Sequence, residues 1–229
     1  MRAYISISAL VADVIIGDTM SRTRAAVTAG VVVYNAGEHH AAHDAWEEEW
    51  LALESGSDDE RFLHGLIQFT AAVYHGRRRN WSGARKLSHS AGEYLAGLDR
   101  EYRGVDLAAV RACLRRLGAD PEYAERARPP DLRYRGRALS PSDPDLGLDG
   151  LAIAAEVVAE EYGFDEEVVE RAVDYAREEE TSAQARFRTL LVDFVGERER
   201  RGLVYRRLEA HVRRRQRKET DVEGLFEEE

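Results

Sequence analysis

Lysine is nearly missing from this chain: of its 33 basic residues, only Lys86 and Lys218 are not arginine. Cysteine is down to one, Cys113, which excludes an internal disulfide and fits a reducing compartment. No hydrophobic run approaches the length of a membrane span. A Gly-rich phosphate loop, a nucleophile elbow and a Cys-x-x-Cys pair are all lacking, so nucleotide-binding and nucleophilic chemistry have no motif behind them. Negative charge, by contrast, is abundant: 43 acidic residues give a formal net of -10, with 33% of the chain charged and 44% hydrophobic. That balance argues against nucleic acid as a partner, because phosphate binding needs a basic surface or stripe. Acidic excess with so little lysine reads as a surface kept hydrated in concentrated salt, so a halophilic, cytoplasmic protein is expected.

The first residues imitate a signal peptide, with Arg2 ahead of an apolar stretch, but Asp13 and Asp18 interrupt it. Residues 1–20 are therefore read as an extension, with Met20-Ser21-Arg22 as an alternative start. The remainder reads as helix after helix. The patterns predict helices over 23–34, 37–54, 58–75, from about 80 to 98, over 106–117, and a short one after Asp120-Pro121. Ser57-x-x-Glu60 has the form of a capping box opening the third. Residues 21–118 show no sustained period-2 alternation. Pro129, Pro130, Pro141 and Pro144 mark 128–149 as a connector, with a brief extended piece at Leu132–Arg135. Further helices are expected near 150–161, 165–180, 183–196 and 200–216, then an acidic tail over 217–229 anchored by Leu225-Phe226. The third helix, 58–75, is apolar on nearly every side, as the centre of a bundle would be. The fold class is all-α: an antiparallel bundle over 21–127 around that helix, plus C-terminal helices.

Unusual residues concentrate between Tyr34 and Trp50. On a helical wheel His43 and Glu47 lie one turn apart at the edge of a stripe made by Ala42, Trp46, Trp50 and Leu53, with His40 beside Glu47. An imidazole and a carboxylate at i, i+4 face one point, as metal ligands on helices do. His64 and Gln68 on the third helix are the second contributors. His43, Glu47, His40 and His64 are thus the metal candidates, and His43, Glu47, Asn35 and Gln68 the catalytic ones. The alternative is a buried polar network fixing helix register, in which removing His43 would cost about 1–3 kcal/mol. Asn35-Ala36-Gly37 reads locally as a turn, with Gly37 free to take positive φ. Arg77-Arg78-Arg79 and Arg213-Arg214-Arg215-Gln216-Arg217-Lys218 read as cations at helix C-termini.

Tyr34-Asn35-x-Gly37, then Ala42-His43-Asp44-x-Trp46-Glu47, then Phe62-Leu63-His64-Gly65-Leu66-Ile67-Gln68 resembles the domain of unknown function 309 family, over about residues 22–98. Asn35, Gly37, His43, Glu47, Gly65 and Gln68 fall on motif positions of those small prokaryotic helical proteins. Asp44 stands where the family has Glu, His39 and His40 where it has aromatics, and His64 where it has Gln. The resemblance implies a helical bundle and no established activity, substrate or cofactor. The expected role is a non-enzymatic module acting through an unknown protein partner or self-association, with no cofactor. The alternatives are a metal-binding or hydrolase-like enzyme using His43 and Glu47, and a nucleic-acid-associated protein.

Overall fold

The computed structural model describes residues 7–179 and 185–224, with side chains over 20–179 and 185–221. Residues 1–6 of the extension and the Leu225-Phe226 anchor lie outside the described residues. The chain is mainly helical: α1 (Ile7–Asn35), α2 (Ala41–Ala52), α3 (Asp58–Arg77), α4 (Trp81–Tyr94), α5 (Leu107–Ala119) and α6 (Tyr123–Arg126) come first. After the connector follow α7 (Gly147–Tyr162), α8 (Glu166–Glu179), α9 (Arg186–Gly196) and α10 (Arg201–Gly224). No helix among the described residues is long and apolar enough to cross a membrane.

The helix starts follow local chemistry. The Ser57 hydroxyl accepts from the Glu60 amide at 3.1 Å, and the Glu60 carboxylate reaches back to the Gly56 amide at 3.3 Å. Asn80 and Asp106 cap α4 and α5 by accepting from Gly83 and Ala108.

The helix α3 is buried along Phe62, Leu63, Leu66, Phe69 and Val73, as its apolar circumference requires. A second helix is enclosed even more fully. Every residue of α1 from Ala25 to Tyr34 is buried, because α2 covers one side and α7 the other. The approach of α2 is close: a Cβ at Gly30 would fall 2.1 Å from the Trp46 indole, so only glycine admits that ring. α1 is therefore shared between two layers, α2–α5 in the N-terminal part and α7–α10 in the C-terminal part.

Two departures from the helical reading stand out. Residues 101–106 form a hairpin, β1 (Glu101–Tyr102) and β2 (Val105–Asp106), and the connector forms another, β3 (Arg133–Tyr134) and β4 (Arg137–Ala138). All neighbours in the order β1-β2-β3-β4 are antiparallel, with Val105 opposite Tyr134. Each hairpin turns on an Arg-Gly pair with positive φ at both residues, Arg103 (47°) and Gly104 (83°), then Arg135 (48°) and Gly136 (78°). Two positive φ values in a two-residue loop define the turn whose twist suits a hairpin. The second departure is at the C-terminus, where α10 continues to Gly224 instead of stopping at 216. Arg213–Glu209, Arg215–Glu219 and Thr220–Gln216 contacts, each four residues apart, carry it through the basic run. That run consequently lies inside a helix and not at its end.

Candidate functional site

The motif turn after α1 is held by three sets of bonds. Gly37 donates to the Tyr34 carbonyl at 2.9 Å and Glu38 to that of Val33 at 3.2 Å, with Gly37 at φ 89°. This is a Schellman closure, and its left-handed position explains the glycine. Asn35 turns outward from the helix end onto the connector. Its carbonyl oxygen accepts from the Leu132 amide at 2.8 Å, and its Nδ2 donates to the carbonyls of Leu132 at 3.0 Å and Leu139 at 3.4 Å. The Asn35 side chain thus occupies the place of a neighbouring peptide group beside β3.

Glu38 points the other way. Its Oε1 accepts from Arg201 Nη1 at 2.8 Å and lies 3.3 Å from Arg198 Nε, while Oε2 accepts from the Tyr162 hydroxyl at 2.8 Å. Arg201 spends its other nitrogens on the last carbonyls of α9, Phe194 at 3.0 Å and Val195 at 3.2 Å, and its guanidinium lies over the Tyr162 ring. Both charged side chains are almost fully buried, so the pair is worth keeping only because each Arg201 nitrogen and each Glu38 oxygen has a partner. Sequence reasoning missed Glu38 and Arg201, since nothing local marks a carboxylate for a partner at such a distance along the chain.

The residues grouped from the sequence have different partners: Asn35 bonds the connector, Gln68 lies beside His64, and His43 stands beside Glu47. His43 and Glu47 lie side by side on α2, with His43 Nε2 3.8 Å from Glu47 and Nδ1 3.4 Å from Asp44. His40 meets Glu161 of α7 at 2.8 Å and Asp44 at 3.8 Å. Two sets of ligand atoms therefore lie within 4.8 Å of one another, His43/Asp44/Glu47 and His40/Asp44/Glu161, sharing Asp44. Burial, opposed by His43 and His40, holds the Asp44 carboxyl above its usual range.

His64 belongs to neither set. It stacks on Tyr94 with ring centres 3.9 Å apart and packs on Trp50 at 4.5 Å. Gln68 lies 3.2 Å from its Nε2, and Glu60 stands 3.4 Å from its Nδ1 without the alignment of a hydrogen bond. Trp50 donates to Glu60 at 2.8 Å, and that bond leads the effects holding the Glu60 carboxyl below its usual range. Gln68 and His64 thus serve an aromatic and carboxylate network toward the far end of α2, while Asn35 serves the connector.

A cleft of about 430 Å³ opens between the motif turn and the segment after α6, lined by Tyr34, Asn35, Gly37, His39, Arg77 and Asp131 among others. Tyr34 is only 3% exposed, and its hydroxyl is buried without a hydrogen-bond partner among the described residues. Such an unmatched hydroxyl costs the fold about 1–3 kcal/mol. Burial, reinforced by Cys113 and Asp131, pushes its pKa well up. His39 meets the Tyr34 ring edge-on at 4.9 Å, and burial, aided by Arg77, lowers its pKa to about 4.

The arginine runs are largely matched within the chain. Arg79 pairs with Glu125, Arg78 lies over Tyr74, and Arg215 pairs with Glu178 and Glu219. Arg77 has neither ion pair nor hydrogen bond among the described residues.

No curated protein matches the chain. Residues 27–87, from the buried half of α1 into α4, match the family model described as Domain of unknown function (DUF309).

Proposed function

We propose that the chain is a non-enzymatic helical module, acting through a protein partner or a second copy, in which the motif turn is a clasp. The observation that supports this is where the turn spends its polar groups: Asn35 on the connector and Glu38 on Arg201 and Tyr162. Groups already matched inside the fold are poorly placed to perform acid–base work on a substrate. On this reading the turn joins the N-terminal layers to the C-terminal helices as one cooperative unit. Urea unfolding of Glu38→Gln, followed by tryptophan fluorescence and by helical circular dichroism, tests it. The N-terminal part carries all three tryptophans, Trp46, Trp50 and Trp81, so it reports separately from the helices as a whole. A variant whose two signals separate into two transitions supports the clasp. A variant as stable and as cooperative as wild type removes it.

A second reading is a divalent metal at His43, Asp44 and Glu47, with His40 and Glu161 adjacent, for which the clustering of ligand atoms speaks. Here His43 would be a ligand or general base, and Glu47 a second ligand or its orienter. Asn35 and Gln68 take no part, being engaged elsewhere. Elemental analysis of untagged protein beside Asp44→Ala decides between them: stoichiometric zinc, iron or manganese lost in the variant would favour metal.

A further inference from the structure

We propose that the cleft beside the motif turn binds a small monoanionic carboxylate, held by the Arg77 guanidinium and hydrogen-bonded by the Tyr34 hydroxyl and the His39 ring. This goes beyond the clasp, and concerns the opposite face of the same turn.

Three residues with polar groups unmatched among the described residues line the cleft. The Tyr34 hydroxyl is buried and has no partner, which buried polar atoms in native folds rarely tolerate unless something outside the protein completes them. The His39 ring makes no hydrogen bond with the described residues, although it lines the cleft and packs on Tyr34. A neutral imidazole carries one N–H donor and one acceptor, so it matches a carboxylate on one side without adding charge. Arg77 is the third group, a cation on the same wall with neither ion pair nor hydrogen bond among the described residues.

Charge selects the ligand class. The other arginines of the cleft are already neutralised: Arg126 by Asp120 and Glu122, Arg128 by Asp131. One guanidinium is left over, and its fork fits the two oxygens of a carboxylate. Asp131 and Glu125 on the walls are paired with Arg128 and Arg79, so the single unpaired guanidinium balances one negative charge and leaves the second charge of a phosphate dianion unbalanced. The volume of about 430 Å³ is that of a small-molecule pocket. Ala36, Ala124, Ala127 and Pro129 supply an apolar side for the rest of such a molecule.

Saturation-transfer NMR and calorimetric titration of the full chain with pyruvate, benzoate and inorganic phosphate test the assignment, beside Tyr34→Phe and Arg77→Gln. The expected result is binding of at least one of the two carboxylates in preference to phosphate. Each substitution then weakens that binding by about tenfold or more, the effect of losing one hydrogen bond to a charged group. Tyr34→Phe should also melt at or above the wild-type temperature, because the hydroxyl it removes has no partner in the fold. This separates a binding role from a structural one. Wild type silent to both carboxylates, phosphate bound in their place, or affinity unchanged in both variants would overturn the proposal. So would a Tyr34→Phe protein that melts clearly below wild type, since the hydroxyl would then be holding the fold.

Discussion

Glu38 and Arg201, 163 residues apart in the chain, form an ion pair of 2.8 Å whose side chains are 5% and 3% exposed. Taking two charges out of water is costly, so the value of this pair lies in the partners around it: Tyr162 and Arg198 on Glu38, the Phe194 and Val195 carbonyls on Arg201. Removing one member leaves the other buried and charged.

Glu38→Ala should therefore cost about 3–5 kcal/mol of unfolding free energy, as should Arg201→Met. The double variant should lose clearly less than the sum, because neither charge is then stranded. Guanidinium unfolding of the four proteins reads the coupling. Strict additivity would mean that the two side chains do not depend on one another.

Asn35→Ala removes one acceptor and one donor from the connector and leaves the Leu132 amide without its partner. We expect a loss of about 1–3 kcal/mol and faster hydrogen exchange at the Leu132 amide. Unchanged exchange there would show that the amide is protected by something other than Asn35.

His39 gives the fold a pH dependence of definite sign. Above its ordinary value of 6.5 the ring is neutral in both folded and unfolded chains, and stability is unaffected by it. Between 6.5 and the folded value of about 4 the unfolded chain takes up a proton that the folded one refuses, so stability falls as pH drops through this window. Allowing for partial exposure, the loss is about 1–2 kcal/mol. Unfolding measured at about pH 7 and about pH 4.5 should show a smaller drop in His39→Gln than in wild type. An equal drop in both would assign the acid sensitivity to other groups.

His43→Ala should change stability by no more than about 0.5 kcal/mol. The sequence alone suggested about 1–3 kcal/mol for a buried network. His43 is instead 31% exposed, with its carboxylate neighbours at 3.4 and 3.8 Å. Thermal melts decide between the two figures.

What the sequence made legible was local. Ser57, Asn80 and Asp106 announced helix starts because an N-cap is a bond to the next turn. The family motif could be read for the same reason: it is contiguous. The position of α3 in the core followed from its apolar circumference. The enclosure of α1 from Ala25 to Tyr34, equally free of charge, would have followed from the same argument. The two hairpins escaped because strands of two residues hold no alternation to detect. Their signal was the repeated Tyr-Arg-Gly at 102–104 and 134–136, which places arginine where backbone sterics seldom admit it. The hydrogen-bond partners of Asn35 and Gln68 were hidden for a different reason. A wheel fixes which way a residue faces but not which distant segment arrives opposite it, and here the connector took Asn35 while His64 took Gln68.

The long reach of the Glu38 pair also bears on how the protein is made. A ribosome adds about 5–20 residues per second, so Glu38 is made roughly 8–33 s before Arg201 exists. Through that interval the whole DUF309 segment has been translated, yet its turn holds a carboxylate with no guanidinium to receive it. Nascent chains halted before Arg201 should accordingly be more protease-sensitive around Glu38 than the finished protein, so an early turn of the chain would be completed only by a late helix.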